Sequence, residues 1–340
     1  MKQSASQRPR SAREKRRNPV PEDSARAGLD GGCADASDRE AVAGVAHSFA
    51  QYHSSGQSSV KRLITLLACA AALSGCALHV TDKNFLRPVV SGELEISNAV
   101  LPKGYTVSTD KVATADGNTL YRARFTHPKA TSTLIFFGGN QSTVGKFAVE
   151  TATQITQDWQ PNLVFVDYRG YGQSSGTPTI EAISADALLI YDSEAKVAAA
   201  DGKKLIVAGY SLGSVVAGGL IEQRTPDGAI LICTVSNVPD MLSTGMPWYV
   251  KPFVSVSFDQ RLAAIDNLRA VKNYRGPLLV IAAEKDEQTP ALLSARVFEA
   301  SASPVAKKLF ATAMGSGHGQ VLSAAETRSA LRTFASNSGF

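Results

Sequence analysis

Cysteine is scarce in this chain, four among 340 residues, and its placement excludes a disulfide-stapled fold. Cys33, Cys69 and Cys76 all precede the apolar body of the chain, which leaves Cys233 there without an intramolecular partner, and none of the spacings fits a zinc site. Charge is thin as well: Asp, Glu, Lys and Arg make up 19% of the residues and the formal net charge is +5. No run of Lys and Arg interleaved with aromatics occurs in the apolar two thirds, so nothing there marks a nucleic acid as partner. Beyond residue 77 only His79, His127 and His318 occur, and any chemistry that needs an imidazole must use one of them. What the chain does have is apolar material, 44% of its residues. That is enough for one large core or two small ones and does not fit a disordered or collagen-like chain.

The first 59 residues are the exception. RPRSAREKRRNPVPEDSARAGLDGG is rich in Ser, Arg, Ala, Gly and Asp without apolar periodicity, and residues 1–59 are expected to be disordered. The basic run Arg13–Arg17 is offset by nearby acids and reads as solvated coil. In the next stretch, VKRLITLLACAAALSGC, Lys61 and Arg62 precede about eleven apolar or small residues and a small-residue cleavage site, the layout of a secretory signal. Its apolar part is too short to span a bilayer comfortably. The ending Leu73-Ser74-Gly75-Cys76 resembles the lipobox of bacterial lipoproteins, in which the cysteine becomes the acylated first residue of the mature chain. Signals run roughly 15–30 residues, which fits a start at Val60 and not one at Met1. The expectation is a signal peptide over 60–75, initiation at Val60 with residues 1–59 untranslated, a lipid anchor at Cys76, and an anchor and linker over 76–104.

From residue 105 to 340, apolar runs of strand length alternate with segments of helical period, which predicts an α/β domain with a mostly parallel sheet. Tyr105–Ala115, a DGN turn and Thr119–Thr126 read as a hairpin. TLIFFGG, NLVFVDY, KLIVAGY, AILICTV, PLLVIAAE and the weaker KLFATAM are continuous apolar runs, as expected of strands buried on both faces. Ile180, Ile183, Ala187 and Ile190 make one helical stripe, and Leu322, Ala325, Ala330 and Phe334 a looser one. There is no internal repeat and no second domain.

Two pentapeptides, GQSSG (Gly172–Gly176) and GYSLG (Gly209–Gly213), fit G-x-S-x-G, and the pattern alone decides nothing. A nucleophilic serine needs a strand to deliver it, small neighbours that permit a strained turn, and a helix whose N-terminus favours negative charge. KLIVA precedes GYSLG as a strand and LGSVVAGGLIEQ continues it as a helix, so Ser211 is the candidate nucleophile. GQSSG runs into Thr177-Pro178 and reads as a loop.

A serine hydroxyl needs a base within hydrogen-bond reach. His79 lies beside the proposed anchor and His127 in a surface turn, whereas His318 in MGSGHGQ comes after the last strand, where glycines let the ring lean into a site. His318 is the candidate base. For the carboxylate that orients the ring, Asp286 lies just beyond PLLVIAAE and before Pro290; Glu284 and, more distantly, Asp240 are the alternatives. Backbone N–H groups for a developing oxyanion would come from Leu212, next to the serine, and from Asn140 in the FGGN loop.

The order Ser211, Asp286, His318, with FGGN upstream and DYRGYGQSSGTP between, resembles the α/β-hydrolase superfamily over about residues 105–335. It is most similar to the serine-aminopeptidase-like and monoacylglycerol-lipase-like branch. The resemblance implies an eight-stranded sheet, a Ser-His-Asp triad, acyl-enzyme hydrolysis and no metal or organic cofactor. Gly138 stands where relatives have His, and Asn237–Gly276 leaves room for only a small cap. In that cap Trp248, Tyr249, Phe253 and Val254 either wall an acyl pocket or pack on the sheet. The implied activity is cleavage of a carboxylic ester or thioester of a small-molecule or lipid acyl substrate. The alternatives are an amidase or peptidase using the same groups, and a non-catalytic binding lipoprotein that keeps the fold. The implied location is the bacterial envelope, through a lipid anchor, with Ala77 after the cysteine resembling lipoproteins sent to the outer membrane and facing the periplasm.

Overall fold

A computed structural model describes residues 76–90, 96 and 99–340. The segments expected as disordered (1–59) and as signal (60–75) lie outside the described residues.

The strands are β1 (Cys76–Val80), β2 (Thr106–Ala113), β3 (Thr119–Thr126), β4 (Ser132–Phe137), β5 (Asn162–Val166), β6 (Lys204–Tyr210), β7 (Gly228–Ile232), β8 (Val254–Phe258), β9 (Leu278–Ala283) and β10 (Lys308–Ala313). The longer helices are α1 (Val144–Ile155), α2 (Ile180–Ala200), α3 (Leu212–Gln223), α4 (Val238–Gly245), α5 (Asn267–Asn273), α6 (Ala291–Ala300) and α7 (Ala325–Ser338). Eight strands form one sheet in the order β10-β9-β7-β6-β4-β5-β3-β2. Both pairings of β3, with β2 and β5, are antiparallel; the others are parallel. The chain therefore has the α/β-hydrolase fold.

Period-two alternation sends successive side chains of the central strands to opposite faces. Ile135, Phe137, Leu205, Val207, Leu278 and Val280 join one core, packed on α2, α3, α5 and α6. Leu134, Phe136, Ile206, Ala208, Leu279 and Ile281 join the other, packed on α1 and α7. Both faces are covered, which is why these strands read as unbroken apolar runs. Each Leu, Ile or Phe fully buried here contributes about 1.5–3 kcal/mol.

The stripe Ile180, Ile183, Ala187 and Ile190 is buried as expected. Helix α2 begins where Thr179 Oγ1 accepts the Ala182 N–H at 3.1 Å, directly after Pro178. The C-terminal stripe needs correction: Ala325 is exposed, and the buried set is Thr327, Ala330, Leu331, Phe334 and Ala335. The helix starts only at Ala325, after a 3-10 turn over His318–Ser323, so its inward face is rotated from the spacing expected for a longer helix.

The stretch after Cys76, expected as linker, is folded against the domain. β1 pairs in parallel with β8 from Cys76↔Val254 to Val80↔Phe258. A one-turn helix, Asp82–Phe85, comes next, and Leu86 is buried.

Candidate active site

Ser211 stands between the end of β6 and the start of α3 with φ +55° and ψ −117°, a conformation that non-glycine residues rarely adopt. Holding it there costs about 1–3 kcal/mol. The two glycines of GYSLG make the turn possible. A Cβ on Gly209 would overlap the Gly213 carbonyl, and one on Gly213 would overlap the Phe137 carbonyl while standing 2.7 Å from that of Gly138. Helix, serine and β4 loop thus meet without room for a side chain.

The ends of β9 and β10 bring the other two groups. Ser211 Oγ lies 3.0 Å from His318 Nε2, and His318 Nδ1 lies 2.7 Å from Asp286 Oδ2. Asp286 is held in turn by the N–H groups of Gln288 (2.9 Å) and Thr289 (2.8 Å) on Oδ1, and by the Thr289 hydroxyl on Oδ2 (2.8 Å). Burial works to raise the Asp286 carboxyl, but the bonds from His318 and Thr289 and the nearby imidazole outweigh it and hold the group below its ordinary range. It is therefore a carboxylate at neutral pH. Of the alternatives, Glu284 is exposed and accepts the Gly315 N–H at 2.6 Å, while Asp240 accepts from Ser236 and Arg296. His79 bonds to Ser257 and Asp259, and the His127 ring packs on Tyr105. None of these four reaches Ser211.

GQSSG folds as a loop, and its serines are staples. Ser174 Oγ donates to the Asp167 carbonyl at 2.7 Å and accepts the Tyr121 N–H at 2.8 Å; Ser175 Oγ accepts the Thr119 N–H at 2.9 Å. Asp167 ties this loop to the cleft: its carboxylate accepts the N–H groups of Val144 (2.6 Å), at the start of α1, and Gln173 (2.9 Å). Burial pushes its pKa up to about 6, against the pull of those two bonds. A carboxyl raised this way binds its proton more tightly when folded, so relative to a non-titrating variant the protein loses stability as pH climbs from about 4 to about 6 and is level above that. The unfolding free energy of the protein minus that of Asp167→Asn should fall by up to about 3 kcal/mol across this window, measured by urea denaturation.

Leu212 opens α3, where its N–H has no intrahelical acceptor. The FGGN loop approaches the serine closely, since a Cβ on Gly139 would stand 3.4 Å from Ser211 Cβ. Within it the Asn140 side chain is pinned: Nδ2 donates to the Phe85 carbonyl at 2.7 Å, and Oδ1 accepts the Arg87 N–H and the Tyr171 hydroxyl, both at 2.9 Å. The segment following Cys76 thus fixes the loop that carries Asn140. At Gly138, a Cβ would sit 2.7 Å from Ser142 Cβ, so a bulkier residue does not fit this loop as folded.

Sequence reasoning missed several neighbours. The Tyr210 ring packs on that of His318 at 5.1 Å and its hydroxyl donates to the His318 carbonyl at 2.9 Å. Thr289 is another: Asp286 closes an Asx turn on the Gln288 N–H, two residues on, and accepts the Thr289 N–H as well, a pattern that an aspartate at a strand end could have signalled. Cys233, at φ +48°, is buried, and its sulfur converges with Asp286 and His318 within 4.8 Å. Among the described residues this is the one convergent set of potential metal-ligand atoms. Burial pushes the Cys233 thiol far up, so without a cation beside it the group stays protonated.

A cleft of about 380 Å³ opens over Ser211 and His318, lined also by residues 138–144, Phe147, Ala148, Thr151, Phe165, Tyr168 and Leu322. Helix α1 supplies one wall. Trp248, Tyr249 and Phe253 do not: they are exposed, and neither they nor Val254 line the cleft. Both expectations for the cap aromatics, acyl-pocket wall or packing on the sheet, are corrected, because β8 is drawn away into its pairing with β1.

No protein-family profile matches the chain. It is 29% identical over 230 residues to an uncharacterized protein of Mycobacterium tuberculosis, covering 67% of this chain and 77% of that one. Lysophosphatidylserine lipase ABHD12 of Danio rerio is 25% identical over 186 residues, 50% of this chain and 47% of that protein. Among solved structures, the Pyrococcus furiosus esterase Pf2001 superposes with a TM-score of 0.55 at 16% identity, over 74% of this chain and 98% of the esterase.

Proposed function

We propose, for a chain that belongs to the α/β-hydrolase superfamily, that it is a serine hydrolase cleaving a carboxylic ester or thioester through an acyl-enzyme. The observation that carries this is the continuous hydrogen-bonded chain Ser211–His318–Asp286, at 3.0 and 2.7 Å, with the serine on a strained strand-to-helix turn. In this reading His318 Nε2 takes the proton from Ser211 Oγ as the oxygen attacks the carbonyl carbon. Asp286 stabilises the imidazolium so formed. The N–H groups of Leu212 and Asn140 receive the charge on the carbonyl oxygen. His318 then protonates the leaving alcohol or thiol, and a water molecule, deprotonated by the same ring, releases the acid and restores Ser211.

The apolar wall formed by Val144, Phe147, Phe165 and Leu322 suits an acyl chain. A lipase among the relatives agrees with a lipid ester. The discriminating measurement is hydrolysis of p-nitrophenyl esters of graded chain length against aminoacyl anilides. Ester turnover with negligible anilide turnover is expected; the reverse would make the protein an amidase. Phe147, partly exposed at the cleft, should set chain-length preference. Phe147→Ala should lower kcat/KM for octanoyl esters roughly 5- to 30-fold, the loss of about 1–2 kcal/mol of apolar contact, and leave acetyl esters nearly unchanged.

The same proposal includes anchoring to the bacterial envelope by acylation of Cys76, on the outer membrane facing the periplasm. Among the described residues no helix is long and apolar enough to cross a membrane. Cys76→Ser should abolish the lipid-dependent mobility shift of the protein, and an unchanged shift would end the lipoprotein reading.

A further inference from the structure

Three aromatic side chains stand in water on the cap. Trp248 is 81% exposed, Tyr249 61% and Phe253 52%, whereas the chain's other tryptophan, Trp159, is 6% exposed. The rings of Trp248 and Tyr249 meet edge to face at 6.0 Å. The coil that presents them is closed by its own backbone: Val250 and Lys251 donate to the Pro247 carbonyl and Phe253 to that of Val250. Lys251, between them, is exposed as well. Large aromatic area held in water by an ordered loop marks a surface that something apolar covers.

The neighbouring strand says what covers it. The loop runs directly into β8, whose first residue, Val254, pairs with Cys76. Three further contacts secure this pairing: the His79 ring bonds Ser257 Oγ (2.8 Å) and Asp259 (3.0 Å), and the Asp259 N–H donates to the Val80 carbonyl (3.0 Å). Paired strands lie about 4.8 Å apart, so the backbone of Cys76 is one strand spacing from the end of the aromatic loop. β1 starts at Cys76 itself, which leaves no slack between that residue and the folded body.

We propose that Trp248, Tyr249 and Phe253, with Lys251, form a foot that enters the headgroup region of a phospholipid bilayer beside the acyl chains on Cys76. The inference rests on the acylation of Cys76 proposed above. Indole and phenol rings are suited to the boundary between hydrocarbon and headgroups, and an exposed lysine there meets anionic phosphates. The acyl chains supply the affinity, and the foot fixes how the domain stands on the surface.

The test uses the acylated protein reconstituted in vesicles of phosphatidylethanolamine and phosphatidylglycerol, with and without brominated acyl chains. Trp248 emission should fall by about half or more in the brominated vesicles and be protected from iodide, as for a ring at the interface. Trp248→Phe, left with the buried Trp159, should show neither effect and should keep full ester hydrolysis in detergent. Acylated protein whose Trp248 remains open to iodide and untouched by bromine would overturn the foot while leaving the anchor intact. Failure of an alkynyl fatty acid to label Cys76 in cells would overturn the anchor and the foot together. Iodide protection that grows with protein concentration, without bromine quenching, would overturn the membrane in favour of a second copy of the chain.

Discussion

Ser211→Ala should lose about 10⁴- to 10⁶-fold in kcat on any ester the protein turns over, and all labelling by a fluorophosphonate. The loss is expected to be of this size because, in the proposed mechanism, the oxygen that attacks, the proton that His318 takes and the bond that links acyl group to protein are all removed at once. The fold should survive, since the hydroxyl's contact of note is the one to His318 Nε2 at 3.0 Å. A second substitution separates chemistry from structure. Ser211 sits at φ +55°, where glycine alone is at ease, so Ser211→Gly should be equally inactive yet more stable by about 1 kcal/mol in urea denaturation. Folded protein that takes no fluorophosphonate label at Ser211 would end the serine-hydrolase reading and favour a binding protein that retains the fold; undiminished labelling of Ser211→Ala would place the reactive group elsewhere.

The next largest effect belongs to a residue with no side chain. Gly213→Ala places a methyl group against the carbonyl oxygens of Phe137 and Gly138. Both are backbone, at the end of β4 and the start of the loop that leads to Asn140, so no rotamer change can make room. Either the first turn of α3 or the FGGN loop must shift. The expected cost is about 3 kcal/mol in stability, the upper range for overpacking, and roughly 100-fold in kcat for the fraction that remains folded, since a shift on the order of 1 Å would displace the proposed oxyanion donors. The control lies on the same helix. Gly219 has open space where its Cβ would be, and Gly219→Ala should stabilise by about 0.5–1 kcal/mol through helix propensity, with activity unchanged. A Gly213→Ala protein with native stability and turnover would contradict the close packing of strand loop and helix that the turn depends on.

Much of this architecture was legible in the residues themselves. A strand buried on both faces must be apolar throughout, and five such runs, TLIFFGG through PLLVIAAE, are the inner strands β4, β5, β6, β7 and β9, while the weaker KLFATAM is the half-buried edge strand β10. GYSLG leads at once into a helix rich in small residues, and GQSSG leads into Thr177-Pro178, so a few positions suffice to separate the two. Gly and Pro punctuation placed the DYRGYGQSSGTP loop. These are short-range matters, in which each residue's own geometry and its near neighbours decide the outcome.

Which polar groups meet is a different question, answered by strand order. Ser211, Asp286 and His318 leave the ends of β6, β9 and β10, which the sheet sets side by side with β7 between the first two. Glu284 and Asp286 both lie within three residues of the end of β9, yet one faces solvent and the other, fixed by the Thr289 turn, faces the ring. The serines of GQSSG could be recognised as staples only once β3 lay beside their loop. The cap aromatics met neither expectation because β8 found its partner in Cys76–Val80, some 180 residues away. Apolar periodicity specifies that a strand is buried and which face points inward; it carries no information on which distant edge completes its hydrogen bonds, and only the assembled sheet supplies that edge.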